Sequence, residues 1–217
     1  MLEFTYHALS IKHHVLQSAI TRGKNSLFLL AKPSDEQIRN IIAAQRNAPF
    51  SYADVGATGG TPPARFRVDH NRVRLGAGEA TFNRAVAAVQ HWEMFNFPWM
   101  QLCWPDTPIE IGATVVALAA LPMLWTLNAC RVVYTVDEAG ALRRYGFAYG
   151  TLPLHEERGE ERFLIEWNRA DDSVYYDILA FSQPKSLMAQ AGYPVARLYQ
   201  KRFARDSKRA MVRAVAE

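Results

Sequence analysis

Apolar positions recur along this chain with two different periods, and the change from one to the other divides it. Ile38, Ile41 and Ile42 form one apolar helical face. Ser34 stands before them as a cap and Gln37 three residues later as its capping-box partner, so a helix is expected from Ser34 to about Arg46. Gly56, Gly59, Gly60, Pro62 and Pro63 mark a loop. Phe66, Val68, Val73 and Leu75 then alternate as a strand over Arg65–Leu75, with a polar break at Asp69–Arg72. Phe82, Val86, Val89 and Trp92 or Phe95 return to helical spacing, which predicts an amphipathic helix over Glu79–Phe95.

Beyond that helix the period becomes two and stays there. Strands are expected at Met100–Trp104, Thr114–Leu121, Cys130–Asp137, Arg143–Thr151, Arg162–Asn168 and Ser173–Phe181, with turns at Asp137–Gly140 and Asn168–Asp172. Short turns between successive strands imply an antiparallel meander. Ser182–Pro184 closes it, and helix follows: a short piece at Leu187–Ala191, a break at Gly192–Pro194, and a long helix from Val195 to about Val215. The predicted class is α+β. A curved antiparallel sheet with one long helix laid across it must bury its concave face, and such a pairing can leave a cavity. Residues 1–26 show no sustained period and read as an N-terminal extension, with the domain occupying residues 27–217.

Composition alters this picture little. The 217 residues are 49% hydrophobic and 21% charged, ordinary globular values. The uncharged stretch Ile111–Ala129 is long enough to cross a bilayer, but Pro122 in its middle and Thr114, Val115 and Val116 favour two buried strands interrupted at Leu121–Pro122. Cys103 and Cys130 match no metal-ligand spacing and read as reduced, buried thiols of a cytoplasmic protein. The net charge is +4. Arg197, Lys201, Arg202, Arg205, Lys208, Arg209 and Arg213 concentrate positive charge on the last helix, which is a solvated face or a footprint for an anionic membrane surface. No stacking platform accompanies them, so nucleic acid is not an expected partner.

Several separate runs resemble the DUF1990 family, also called UPF0548. They are Phe50-Ser-Tyr-Ala-Asp-Val-Gly-Ala-Thr58, Arg72-Val-Arg-Leu-Gly76 leading to Gly78-Glu79-Ala80, and Tyr145-Gly-Phe-Ala-Tyr-Gly-Thr-Leu-Pro153. His155, Arg158-Gly-Glu-Glu-Arg-Phe163, Tyr176-Asp-Ile-Leu-Ala-Phe-Ser182 and Arg202-Phe-Ala-Arg-Asp-Ser207 continue the series, which spans about Ala31 to Val215. The chain departs from the family pattern at Leu154 and Glu156, where Gly and Pro are expected. The resemblance carries no activity. It implies a helix-grip fold similar to START and Bet v 1-like (SRPBCC) domains, which commonly hold lipids, polyketides or other apolar molecules.

Candidate chemistry is sparse. There is no nucleophile elbow, P-loop, dinucleotide fingerprint or zinc spacing, so no cofactor and no metal site is expected. The polar run His155, Glu156, Glu157, Arg158, Glu160 and Glu161 reads foremost as a solvated hairpin loop, with acid/base work or recognition, and after them metal ligation, as its functional alternatives. Tyr145, Phe147 and Tyr149 share one strand face, and the small opposite face of Gly146, Ala148 and Gly150 lets a helix or ligand approach. Asp177 on an apolar strand calls for a partner, Arg131 or Arg162. The leading expectation is a binder of a hydrophobic small molecule, lipid- or polyketide-like, with Tyr134, Tyr145, Phe147, Tyr149, Tyr176 and Arg131 as binding residues. The alternatives are an enzyme of cyclase, hydrolase or isomerase type using His155, Glu161 or Asp177, or a membrane-surface or partner-binding module built on the basic last helix.

Overall fold

Among the described residues eight antiparallel strands form one sheet, seven of them in a continuous path, and a 24-residue C-terminal helix lies across its concave face. The computed structural model describes residues 28–122, 124–185 and 193–216. In chain order the elements are β1 (Phe28–Leu29), α1 (Asp35–Gln45), β2 (Arg67–Ala77), α2 (Gly78–Gln90), β3 (Met100–Cys103), β4 (Thr114–Leu121), β5 (Leu124–Glu138), β6 (Leu142–Thr151), β7 (Glu157–Asn168), β8 (Ser173–Pro184) and α3 (Tyr193–Ala216). The sheet order is β2-β8-β7-β6-β5-β4-β3, and the two-residue β1 pairs with the free flank of β5 at Trp125 and Thr126. β3 to β8 are thus a meander, and α2 carries the chain from one sheet edge, β2, to the other. This is the helix-grip architecture. The N-terminal extension and the short helix expected at Leu187–Ala191 lie outside the described residues.

Local chemistry explains most boundaries. Ser34 and Gln37 close a capping box, with Gln37 N–H donating to Ser34 Oγ at 3.2 Å and Ser34 N–H to Gln37 Oε1 at 2.8 Å. The apolar stretch Ile111–Ala129 folds as β4 and the start of β5 on either side of Pro122, and among the described residues no helix is long and apolar enough to cross a membrane.

Three expected boundaries move. β2 runs through Asp69–Arg72 without a break, because Asp69, Arg72 and Asn71 all find partners across the molecule. α2 stops at Gln90, five residues early. Trp92 takes a left-handed φ of 56°, which buries its indole and lets Nε1–H donate to Thr107 O at 2.9 Å, while Met94 and Phe95 turn into the core. The largest correction concerns the polar run after His155, which is no solvated loop: Glu157, Glu160 and Glu161 lie within β7. Acids sit there because each has a partner supplied by another part of the fold.

The core lies between the sheet, α2 and the second half of α3. Phe82, Trp92, Phe95, Phe147, Phe163 and Tyr176 are its large members, the first five in edge or tilted ring contacts. Both cysteines are buried and unpaired, and burial pushes the Cys103 thiol up to about 11 and Cys130 higher still.

Candidate functional site

The two halves of α3 meet the sheet differently. From Ala204 onward the helix packs down: Ala204, Ser207, Ala210, Met211 and Val215 are buried, and Tyr176 and Ser207 share a hydroxyl hydrogen bond of 2.9 Å. Before Ala204 no described residue of the helix is buried. In this first half the helix stands off the sheet over a cavity of about 830 Å³. Small residues keep the space open, with Ala117 and Ala119 on β4, Ala180 on β8 and Ala196 on the helix. Phe95 and Phe203, in ring contact at 5.4 Å, separate it from the solid core. Trp99, Leu121, Leu124 and Ile178 extend the apolar wall.

One wall is polar. Glu157, Gly159 and Glu161 alternate along β7 toward the cavity. Glu161 is paired across strands with Tyr149, whose hydroxyl donates to Glu161 Oε2 at 2.9 Å. Burial raises Glu161 to about 7 and lifts the Tyr149 phenol well above its ordinary range, so Tyr149 stays a donor throughout the physiological range. Glu157 accepts from Gln200 Nε2 and is also raised by burial. Arg197 grips Asp69 with both guanidinium nitrogens, the Nη2–Oδ1 contact being 2.7 Å. Burial lowers His155 to about 4. It is therefore neutral at pH 7, and its Nδ1 accepts from Glu157 N–H at 3.0 Å, which puts the ring proton on Nε2.

Of the residues singled out from sequence, His155, Glu161 and Tyr149 border the cavity. Phe147 shares the face of Tyr149 but is sealed among Trp92, Tyr149 and Phe163. Tyr176 lies under the packed half of α3, and Tyr145 accepts from Gln90 Nε2 of α2 at 3.2 Å. The other three sit away from the cavity. Tyr134 meets Thr58 Oγ1 at 2.8 Å, and Arg131 donates to the Gln45 and Arg46 carbonyls at 2.7 and 2.6 Å, capping the C-terminal end of α1. Asp177 is 2% exposed on the sheet face turned from α3, bonded to Arg162 at 3.0 Å and His70 at 2.6 Å, and does not reach the cavity. Its partner is Arg162 rather than Arg131. The small face of β6 admits neither helix nor ligand: a Cβ on Gly150 would lie 2.2 Å from Tyr52 Oη, so Tyr52 occupies that approach. Asp69, Arg197 and Gln200 are site residues that the sequence reading does not single out, and Glu157 is there only as one member of the polar run. The four-residue spacing of Glu157 and Glu161, two strand periods with Gly159 between them, was the available signal.

Residues 51–210 match the model of a domain of unknown function, DUF1990. A UPF0548 protein of Dictyostelium discoideum is 36% identical over 208 residues, covering 87% of this chain and 96% of that protein. A UPF0548 protein of Deinococcus radiodurans is 38% identical over 200 residues, covering 87% and 98%. Among solved structures, Ara h 8.0201 aligns with a TM-score of 0.41 at 15% identity, over 70% of this chain and 98% of that one. By the breadth of these sequence matches, the chain belongs to the DUF1990 (UPF0548) family.

Proposed function

We propose that this protein binds a hydrophobic small molecule, lipid- or polyketide-like, between the concave sheet and the first half of α3. The observation that carries the reading is the standing-off of that half-helix over about 830 Å³ of space. Ligand pockets span about 300–1,000 Å³ and combine an apolar wall with a few placed polar groups. Ala117, Ala119, Ile178 and Phe203 are such a wall, and Tyr149 with Glu161 such a group. The buried thiols suit a reducing compartment, and we assign the protein to the cytoplasm.

Native mass spectrometry of the purified chain, before and after exposure to a total lipid extract, tests this. A bound apolar molecule is expected, displaced by a solvatochromic apolar dye and lost in Ala180→Phe and Ala196→Trp, which fill the space from opposite sides. Failure of every apolar molecule and of the dye to bind, or undiminished binding in both folded variants, overturns the reading.

One observation favours an enzymatic use of the same cavity. Glu161, held near 7 beside a neutral Tyr149, is poised to exchange a proton at physiological pH. In that case Glu161→Gln retains the co-purifying molecule and abolishes its conversion. If the variant converts it at the wild-type rate, the acid/base role is wrong.

A further inference from the structure

The charges facing the cavity do not balance. Arg197 is committed to Asp69 through two guanidinium nitrogens, and Lys201, exposed on the next turn of α3, also borders the cavity and adds its charge near Asp69. His155 is neutral. Glu156, Glu157 and Glu161 also border the cavity; Glu157 and Glu161, the two on β7, form no ion pair among the described residues, although the Arg197 charge reaches Glu157. Glu157 receives a neutral amide and Glu161 a neutral phenol, and the second oxygen of Glu161 accepts no hydrogen bond within the described residues. Glu161 lies deep in the molecule yet keeps accessible surface, and that surface faces the cavity. Two partly buried carboxylates close enough to disfavour each other's charge are costly unless a cation joins them.

We propose that the molecule held in the cavity carries a protonated amine, seated against Glu161 and Glu157 with its apolar body along β4 and β8. The proposal rests on the cavity-binding reading and adds the chemistry of the head group. An ammonium has three donors and no acceptor, matching a wall that offers carboxylate oxygens. A carboxylate or phosphate head meets repulsion there. A metal ion is the wrong cation, since among the described residues no three His, Cys, Asp or Glu are grouped to hold one.

Charge coupling makes binding depend on pH. The groups around Glu161 are Tyr149 on β6, Glu157 on β7, Asp69 on β2, Tyr176 on β8, Cys130 on β5, and Arg197 and Lys201 on α3. Burial holds the tyrosines and Cys130 neutral across pH 6–8. Over that interval Glu161 gains charge, and the ammonium binds the charged form.

The test is calorimetric titration of the full chain with three probes of equal length: decylamine, decanol and decanoate. At pH 8 decylamine is expected to bind at least about ten-fold tighter than decanol, and decanoate weaker than either. Decylamine affinity is expected to rise roughly ten-fold from pH 6 to 8, while decanol affinity stays flat. Glu161→Gln, and independently Glu157→Gln, shrink the preference for the amine. Decanol binding as tightly as decylamine, or a preference that persists in the Glu157→Gln/Glu161→Gln double variant, overturns the head-group assignment while leaving the cavity a binding site. If none of the three probes binds and the apolar dye fails as well, the cavity-binding reading falls and takes this one with it.

Discussion

Glu160 stands back to back with Glu161 on β7, and its carboxylate points away from the cavity into a cage made by the loop before β2. Tyr52 Oη–H and Gly56 N–H donate to Oε2, both at 2.6 Å, and Thr58 N–H donates to Oε1 at 2.9 Å alongside the Thr58 hydroxyl. Gly56 reaches this position with a φ of 90°, a conformation that glycine takes without strain. Glu160→Gln keeps the shape and removes the charge. Either hydroxyl can reverse its role to face an amide NH₂, but the Gly56 and Thr58 N–H groups cannot, so one N–H is left opposed to another donor. Bonds to a charged group contribute about 1.5–3 kcal/mol each, and an orphaned buried donor costs about 1–3 kcal/mol. With partial relaxation of the loop, the expected loss is about 3 kcal/mol, or about 6–12 °C in Tm for a chain of this length. Urea and thermal unfolding followed by circular dichroism measure it. Gly150→Ala, which pushes Tyr52 off its site, should couple to Glu160→Gln in a double-mutant cycle. A loss below about 1 kcal/mol, or strictly additive effects, would show that the cage does not hold the loop as described.

Three further outcomes follow from the same geometry. Because burial raises Glu161 from 4.5 to about 7, the folded state binds its proton more tightly than the unfolded chain, and this contribution to stability declines as pH rises from about 4.5 through 7. His155, lowered to about 4, works in the opposite direction, losing stability as pH falls from about 6.5 to 4. Denaturation of Glu161→Gln against wild type should therefore show the variant gaining relative stability between pH 5 and 8, and a flat difference would contradict the burial of that carboxylate. Arg162→Met leaves Asp177 with only His70 and Arg72, and should cost about 3 kcal/mol in urea unfolding while apolar-dye affinity is unchanged, since the pair lies on the far face of the sheet. Ser34→Ala opens the capping box of α1 and should cost about 1 kcal/mol, read from the same unfolding curves.

Much of the element order was legible in the chain because hydrophobic period is a local property. The capping box at Ser34 and Gln37 and the limits of β4 at Thr114 and Leu121 were set by residues within a few positions of one another. The demand of Asp177 for a cationic partner was also legible, since an acid between apolar strand neighbours is costly wherever it folds. The early stop of α2 was not, because helical spacing continues through Trp92 and only the burial of that indole beside Thr107 breaks it. The start of β7 was hidden for a related reason. A Glu-rich run looks like a loop until Tyr52, Gly56 and Thr58, about a hundred positions earlier in the chain, are seen to satisfy Glu160.

Alternation with a period of two states that Glu160 and Glu161 face opposite ways, and it is silent on which of them faces inward. That choice belongs to the tertiary structure. The curl of the sheet brings α3 to one side and the loop before β2 to the other, so one glutamate becomes a strut and its neighbour part of a cavity wall. The sequence by itself determined that strands, a last long helix and a buried surface between them would exist. Only the assembled fold decided that half of this helix would stand clear of the sheet, because that depends on side-chain volumes from β4, β8 and α3 meeting across space.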